Sequence, residues 1–512
     1  MKGIQVLYLI KYRLVRKILT KNIKLKKISK FNIASINWKQ YFFSSYRNFE
    51  KVNDSIVFSA LNKKVVFNSS LWLNKEGDPL FNYQLHYFND LPYISTHNPS
   101  LFKELTEKYN QLLTTNRFIG LEPYPTSLRI VNIIKSIWLN HDLISNELNK
   151  YLYFQVLVLE NNIEVHIQAN HLFENGKALI FAGIYFQNDG DRFLNKGLKL
   201  ISKELKKQFY NDGGHFELSP MYHCRMMENI IDLIQLSQKS KSNKLNQIKT
   251  KLLETCQKGI TWLEYLSHPN GEVSFFNDSS LNIYPNLENL KAYAKKACNI
   301  DFRPFTLPRV VHLEESGFIV FSTDRVKLIL KYINNSSAFQ PGHTHADELS
   351  FELSVDGKKA ITNPGVSSYH DNFIRMKERS SRYKNTCHIE GSDHSEVWSK
   401  FRLGRRSSLK SLEIQGDKVS IGLKNYQGDL IYRTIEITDT NINVADTANK
   451  ELISVINTVS NIVKVHSKSK YQKKDIRIPI SFNASTKAVS YQLSGKSNTF
   501  NVSYLGNKNE NS

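Results

Sequence analysis

The sequence predicts a multidomain chain, helical in its first part and β-rich in its second, and three features say so. Its 512 residues exceed what one ordinary core encloses. Apolar residues recur at helical spacing until about residue 300, and alternating runs of β-branched and aromatic residues take over near Leu307. Because the two textures are segregated rather than interleaved, they imply separate domains and not a βαβ sheet.

Residues 1–70 read as a basic helical extension. The apolar run Ile4 to Ile10 is short, interrupted by Gln5, and followed at once by Lys11, Arg13, Arg16 and Lys17. No small-residue cleavage site follows, so it does not read as a signal peptide, and it is too short to span a bilayer. A surface helix of the first domain, or a basic amphipathic helix making peripheral membrane contact, suits it. From 71 to 306 the periodicity is helical: Tyr151 to Leu159, then Met227, Ile230, Ile231 and Ile234, then Lys251 to Leu266 and Leu287 to Cys298. Turn-rich pieces such as Asn211-Asp212-Gly213-Gly214 separate the helices, and no fixed-period repeat appears. This suits a helical bundle or an incomplete α/α toroid. From 307 to 512 strands are expected at Gly317 to Ser322, Val326 to Tyr332, Leu412 to Ile414, Val419 to Leu423 and Ile431 to Thr438. Leu349 to Val355 should turn at Asp356-Gly357 into Lys359 to Thr362 as a hairpin. The polar end, from about Phe500, is expected to fray.

A formal charge of +22 supports long-range attraction of anions: nucleic acid, a membrane surface or an acidic polysaccharide. No helix-turn-helix, zinc-finger spacing or RNA-binding signature is present, which argues against nucleic acid. Cys224, Cys256, Cys298 and Cys387 form neither a CxxC pair nor a disulfide framework, so either redox compartment fits.

Three segments look chemical. The first is Gln168-Ala169-Asn170-His171-Leu172-Phe173-Glu174, polar groups at a loop or helix start. In the second, Gly213-Gly214-His215-Phe216-Glu217-Leu218-Ser219-Pro220-Met221-Tyr222-His223, Pro220 opens a helix and Tyr222 projects from its first turn. There the helix dipole favours a phenolate; a buried structural tyrosine is the alternative. The third is Gly342-His343-Thr344-His345-Ala346-Asp347-Glu348. On extended backbone His343 and His345 share one face, and could bind a metal with a third ligand or supply a base.

In this order, Asn-His, Ser-Pro-x-Tyr-His and Gly-His-x-His-Ala-Asp-x-x-Ser-Phe make the chain similar to the heparinase II/III-like polysaccharide lyases. Phe81 to Phe88, Glu122 to Asn132, Ser395 to Trp398 and Phe401-Arg402 agree. The resemblance implies an incomplete α/α toroid followed by an antiparallel β-sandwich. It implies β-elimination at a uronic acid of an acidic polysaccharide, with Asn170 neutralising the carboxylate, Tyr222 delivering the proton to the leaving oxygen, and His343 acting as base. His171 and His223 are implied substrate-binding neighbours. Relatives often carry a structural divalent metal held by the second histidine, here His345. The partner positions read Asn363 and Lys384, one a poor ligand and the other none, so the Lys384 ammonium is expected to take the cation's place, with His388 as the rescue ligand.

Two other functions stay open at this point: a glycoside hydrolase drawing on Glu174, Glu217 or Asp212, and a glycan-binding protein without turnover. Capsule or exopolysaccharide metabolism is the expected setting. The N-terminus favours the cytoplasm or its membrane face, with periplasmic and extracellular action left open.

Overall fold

In the computed structural model, the described residues are 31–115, 119–303, 305–370 and 372–505. They fall into two compact units that do not follow sequence order. The first comprises Met1–Phe209, Arg225–Gln257 and Glu288–Phe302; the second comprises Tyr210–Cys224, Lys258–Leu287 and Arg303–Ser512.

The expected helical extension is corrected where it can be seen. Residues 1–30, with the basic amphipathic stretch, lie outside the described residues. Beyond them comes a three-stranded antiparallel sheet, Phe49–Val52, Ser55–Ala60 and Lys63–Phe67. Its second turn is the two-residue type that needs positive φ at both positions, supplied by Leu61 (52°) and Asn62 (57°). The sheet is fixed by ring packing: Phe49 meets Phe58 at 4.8 Å and Phe67 at 5.1 Å, and Phe67 meets the buried Trp72 at 4.7 Å.

Helices then dominate the first unit. Pro79–Gln84 and Pro123–Leu139 open on proline, where a missing N–H costs nothing. Asp191–Gln208 buries Phe193, Leu194, Gly197, Ile201, Glu204, Leu205 and Gln208, one stripe at helical spacing. It packs against Ala169–Tyr185 so closely that a Cβ on Gly197 would lie 2.7 Å from the Gly176 carbonyl oxygen. A buried ionic network crosses this helical core. Lys135 and Lys177 both donate to Asp232, and Arg225 bridges Glu174 and Glu228 at 2.7 Å each.

The second unit is built on a thirteen-stranded antiparallel sheet. Its main path runs Ser408–Gln415, Lys418–Lys424, Leu430–Ile437, Asn441–Thr458, Lys358–Ile361, Ser350–Val355, Val326–Lys331, Phe318–Ser322 and Val310–Leu313. Val326–Lys331 and Ser350–Val355 are buried along their whole length, whereas Leu430–Ile437 alternates because one face meets solvent. The expected hairpin forms, with Asp356 (φ 48°) and Gly357 (φ 77°) at its turn. Ala484–Tyr504 continues pairing to its end with Phe500 and Val502 buried, so the expected fraying does not begin at Phe500; residues 506–512 lie outside the described residues. Among the described residues no helix is long and apolar enough to cross a membrane.

Candidate functional site

The second unit gathers the candidate chemistry. The glycine-rich approach to Tyr222 is a tight turn in which the Tyr210 N–H donates to Gly214 O (2.9 Å) and the Gly213 N–H donates to Tyr210 O (3.1 Å). Gly213 has φ +97°, and a Cβ there would lie 2.3 Å from Lys258 O, so only glycine fits. Pro220 begins the helix Pro220–Lys239, and Ser219 caps it by accepting the Tyr222 N–H at 3.2 Å. Tyr222 thus projects from the first turn, as expected.

His343 and His345 do not alternate on a strand. Pairing begins only at Ser350, and the two histidines lie in a looped segment before it. They converge on a single carboxylate: His343 Nδ1 lies 2.7 Å from Asp278 Oδ2, and His345 Nε2 lies 2.6 Å from Asp278 Oδ1. The Arg375 guanidinium forks onto both oxygens, with Nη2 donating to Oδ2 at 2.7 Å. Asn277, at φ 55°, locks the segments together. Its side chain donates to Leu218 O (2.8 Å), its Oδ1 accepts the His345 N–H (3.0 Å) and the Lys331 ammonium (2.8 Å), and its own N–H donates to Asp347 (2.8 Å). Leu218 and Leu349 also hold left-handed backbone, so this unit stores strain around the cluster.

The rings of Tyr222 and His343 lie 4.1 Å apart at 32°, and the Tyr222 hydroxyl meets that of Tyr369 at 3.1 Å. A carboxylate only accepts, so His343 Nδ1 carries a hydrogen, and in the neutral ring Nε2 then presents its lone pair. Glu217 Oε1 stands 4.0 Å from that Nε2, placed to stabilise an imidazolium. Burial raises the Asp278 pKa, but Arg375 and the bonds from His343 and His345 outweigh it and hold the carboxyl well below its ordinary range. Burial, then the neighbouring Tyr369, Tyr284 and Asp278, push the Tyr222 phenol well above 10. The helix-dipole expectation of a phenolate is therefore corrected: desolvation wins, and the resting group is a neutral acid.

His223 does not face substrate. It is fully buried, accepts the His215 N–H at Nδ1 (3.1 Å), donates from Nε2 to Gly259 O (3.0 Å), and stacks on Trp262 at 4.6 Å. Both nitrogens are occupied, so its role is to hold the approach loop. Burial takes its pKa down to about 3, against 6.5 in the unfolded chain. Between these values the unfolded chain binds a proton that the folded chain refuses, so stability falls as pH falls from 6.5 toward 3. His223→Gln, which can donate and accept at similar places, is expected to flatten that dependence by about 1.4 kcal/mol per pH unit. Urea unfolding between pH 6.5 and 5 measures it, and an unchanged slope would count against a neutral buried imidazole.

Asn170 and His171 belong to the first unit. Asn170 is buried at the start of Ala169–Tyr185, just after two left-handed residues, Gln168 (φ 65°) and Ala169 (φ 51°). His171 is partly exposed, stacks on Tyr124 at 4.2 Å and lies 3.2 Å from Glu164.

The residues around His345 do not fit a divalent metal. The Asp278 oxygens are committed to Arg375, His343 and His345. Asn363 Oδ1 accepts the Asn385 N–H at 2.8 Å, and its amide donates to Ser350. The buried Lys384 ammonium donates to Pro364 O at 2.6 Å, and after burial its charge is the next largest influence lowering the His345 pKa. His388 is buried on the strand Cys387–Ile389, its Nδ1 3.0 Å from Ile389 O. Among the described residues no three His, Cys, Asp or Glu side chains group as metal ligands. Two cations, Lys384 and the unforeseen Arg375, supply positive charge here. Extensive dialysis against a chelator is expected to leave the thermal midpoint unchanged, and elemental analysis showing stoichiometric zinc or calcium would overturn this.

Asp278, Tyr369 and Arg375 were missed from the sequence. None sits in a recognisable motif, and the Asp278–Arg375 and Tyr222–Tyr369 pairs are 97 and 147 residues apart. Only a buried charge that needed an opposite partner could have hinted at the first pair.

The model for the heparinase II/III N-terminus matches residues 134–299, and that for the heparinase II/III-like C-terminal region matches 306–452. Heparin-sulfate lyase of Bacteroides stercoris is 28% identical over 244 residues, 43% of this chain and 34% of that protein. The corresponding enzyme of Pedobacter heparinus is 26% identical over 233 residues, 42% of this chain and 34% of the relative. The chain thus aligns with about a third of the length of these curated relatives. A crystal structure of heparinase III superposes with a TM-score of 0.66 at 16% identity, covering 97% of this chain and 88% of that one. The chondroitin AC lyase of Streptomyces coelicolor A3 gives 0.51 at 10% identity, covering 84% and 75%. These likenesses show the fold, an incomplete α/α toroid followed by an antiparallel β-sandwich. With both family models matching, and more than half of the 512 residues between them, the chain belongs to the heparinase II/III-like family.

Proposed function

We propose that the protein is a polysaccharide lyase that cleaves a uronic-acid-containing acidic glycan by β-elimination, in capsule or exopolysaccharide metabolism. The observation that carries this reading is the contact of a protonated phenol, Tyr222, with an imidazole whose tautomer is fixed by Asp278. Elimination needs such a pair, a base for the C5 proton and an acid for the C4 oxygen.

His343 Nε2 takes the C5 proton, and the freed electron pair forms the C4–C5 double bond as the C4–O bond breaks. The Tyr222 hydroxyl protonates the leaving oxygen. The resulting phenolate accepts a hydrogen bond from Tyr369 and recovers its proton from the His343 imidazolium, so one proton has moved from C5 to the leaving group. Asn170 is assigned to neutralise the uronate carboxylate through the family motif that it matches. The named relatives act on heparin sulfate, which makes a glycosaminoglycan the first substrate to try, and the +22 charge favours capture of such a polyanion.

Two of the three carboxylates offered to a hydrolase are committed elsewhere, Glu174 to Arg225 and Asn229 and Asp212 to Gly214 and Ser316, which leaves Glu217 beside His343 without a second carboxylate from that set to pair with. Purified protein should be offered heparan sulfate, chondroitin sulfate, hyaluronan and alginate. A rise in absorbance near the ultraviolet edge from the unsaturated product is expected with at least one of them. New reducing ends without that absorbance would replace elimination by hydrolysis.

A further inference from the structure

We propose that the hairpin Val397–Ser399/Arg402–Leu403 carries a sugar-stacking subsite, with Phe401 as the platform for the pyranose next to the one being cut. The proposal rests on the lyase reading for the identity of the sugar, but its geometry is independent of it.

Phe401 sits at the hairpin tip. Its ring lies 6.5 Å from His343, edge to face at 82°, and 5.4 Å from Tyr369. Although it touches both, it remains 40% exposed, and Trp398 is 60% exposed where the register of the hairpin breaks. Among the described residues Trp398 is the one exposed tryptophan, while Trp38, Trp72, Trp138 and Trp262 are buried. Large aromatic surface left in water beside a reacting pair marks a place that a ligand covers.

The tip is held ready rather than left loose. Buried Arg379 donates from Nη1 to the Ser399 and Arg402 carbonyls, and buried Arg375 donates from Nε to the Lys400 carbonyl at 3.0 Å. The Arg375 guanidinium also lies against the rings of Phe401 (5.3 Å) and Tyr369 (4.9 Å) while gripping Asp278. One cation therefore sets both the base and the platform, and little ordering cost remains when substrate arrives. The occupant follows from chemistry. The C–H face of a pyranose is apolar and suits the electron-rich face of an aromatic ring. Lys400 and Arg402 flank Phe401 in sequence and supply charge of the sign that acidic sugars require.

The test uses full-length protein carrying Tyr222→Phe, chosen because its turnover is expected to be about a thousandfold slower, titrated with a size-fractionated heparan sulfate hexasaccharide. Calorimetry measures affinity, and Trp398 emission reports whether the platform is covered. A blue shift that disappears in Trp398→Phe is expected. Phe401→Ala should weaken binding about tenfold, and Phe401→Trp should preserve it. In the Tyr222 background the KM for heparan sulfate should rise with the same pattern. Absence of binding, or an affinity and KM indifferent to Phe401→Ala, would overturn the subsite, as would a variant that only lowers the thermal midpoint. Phe401-dependent binding without elimination by the native chain would sink the lyase reading and leave the subsite standing.

Discussion

Replacing Tyr222 with Phe is expected to lower kcat by about a thousandfold while the protein still binds acidic glycan. The change removes one oxygen and keeps the ring that lies 4.1 Å from His343, so the packing survives. What is lost is the proton for the leaving oxygen and the bond to Tyr369. The stability cost should stay near 1 kcal/mol, that of one hydrogen bond. Because burial and its neighbours raise the Tyr222 pKa, the acid form persists through neutral pH and its own titration cannot limit activity below pH 10. Initial rates from product absorbance, with retention on immobilised heparan sulfate as the binding readout, check the prediction. Unchanged turnover would remove Tyr222 from the role of acid.

Asp278→Asn should have a larger combined effect. The imidazole of His343 loses the acceptor that fixes its tautomer, and a comparable loss in proteases costs about ten-thousandfold in kcat. The substitution also leaves the fully buried Arg375 guanidinium without its counter-charge, a situation that typically costs about 3–5 kcal/mol. Asp278→Asn combined with Arg375→Gln separates the two consequences: neutrality should restore part of the thermal midpoint but none of the rate. The sign of the pH dependence is fixed as well. A carboxyl depressed in the folded state contributes stability above its unfolded value, near 3.9, and loses it as pH falls through the folded value. A double variant with recovered rate would show that Asp278 serves only the fold.

Much of this arrangement was legible because its signals are local. The Asp356-Gly357 turn, the Pro220 helix start and the apolar period of Leu287–Cys298 depend on neighbours within a few residues, and each appears where expected. The motif residues Tyr222 and His343 were likewise legible, and their rings touch. What failed depended on distant partners. Nothing near residue 223 says that His223 will be walled in by Trp262 and Gly259, or near 343 that two histidines will share a carboxylate 65 and 67 residues away. The sheet of residues 49–67 was hidden by its exposed lysines, since its identity lies in Phe49, Phe58 and Phe67 meeting one another.

The division of the chain into interleaved units has a consequence for its synthesis. Tyr222 leaves the ribosome 147 residues ahead of Tyr369, a delay of roughly seven to thirty seconds at ordinary elongation rates. Until the first strand of the large sheet is made at Val310, the nascent segment Tyr210–Cys224 and, after it, Lys258–Leu287 carry Glu217, His215 and Asp278 with no strand of that sheet to receive them. Such a chain lends itself poorly to dissection: a fragment started at Arg303 lacks Tyr210–Cys224 and Lys258–Leu287, and with them Tyr222 and Asp278.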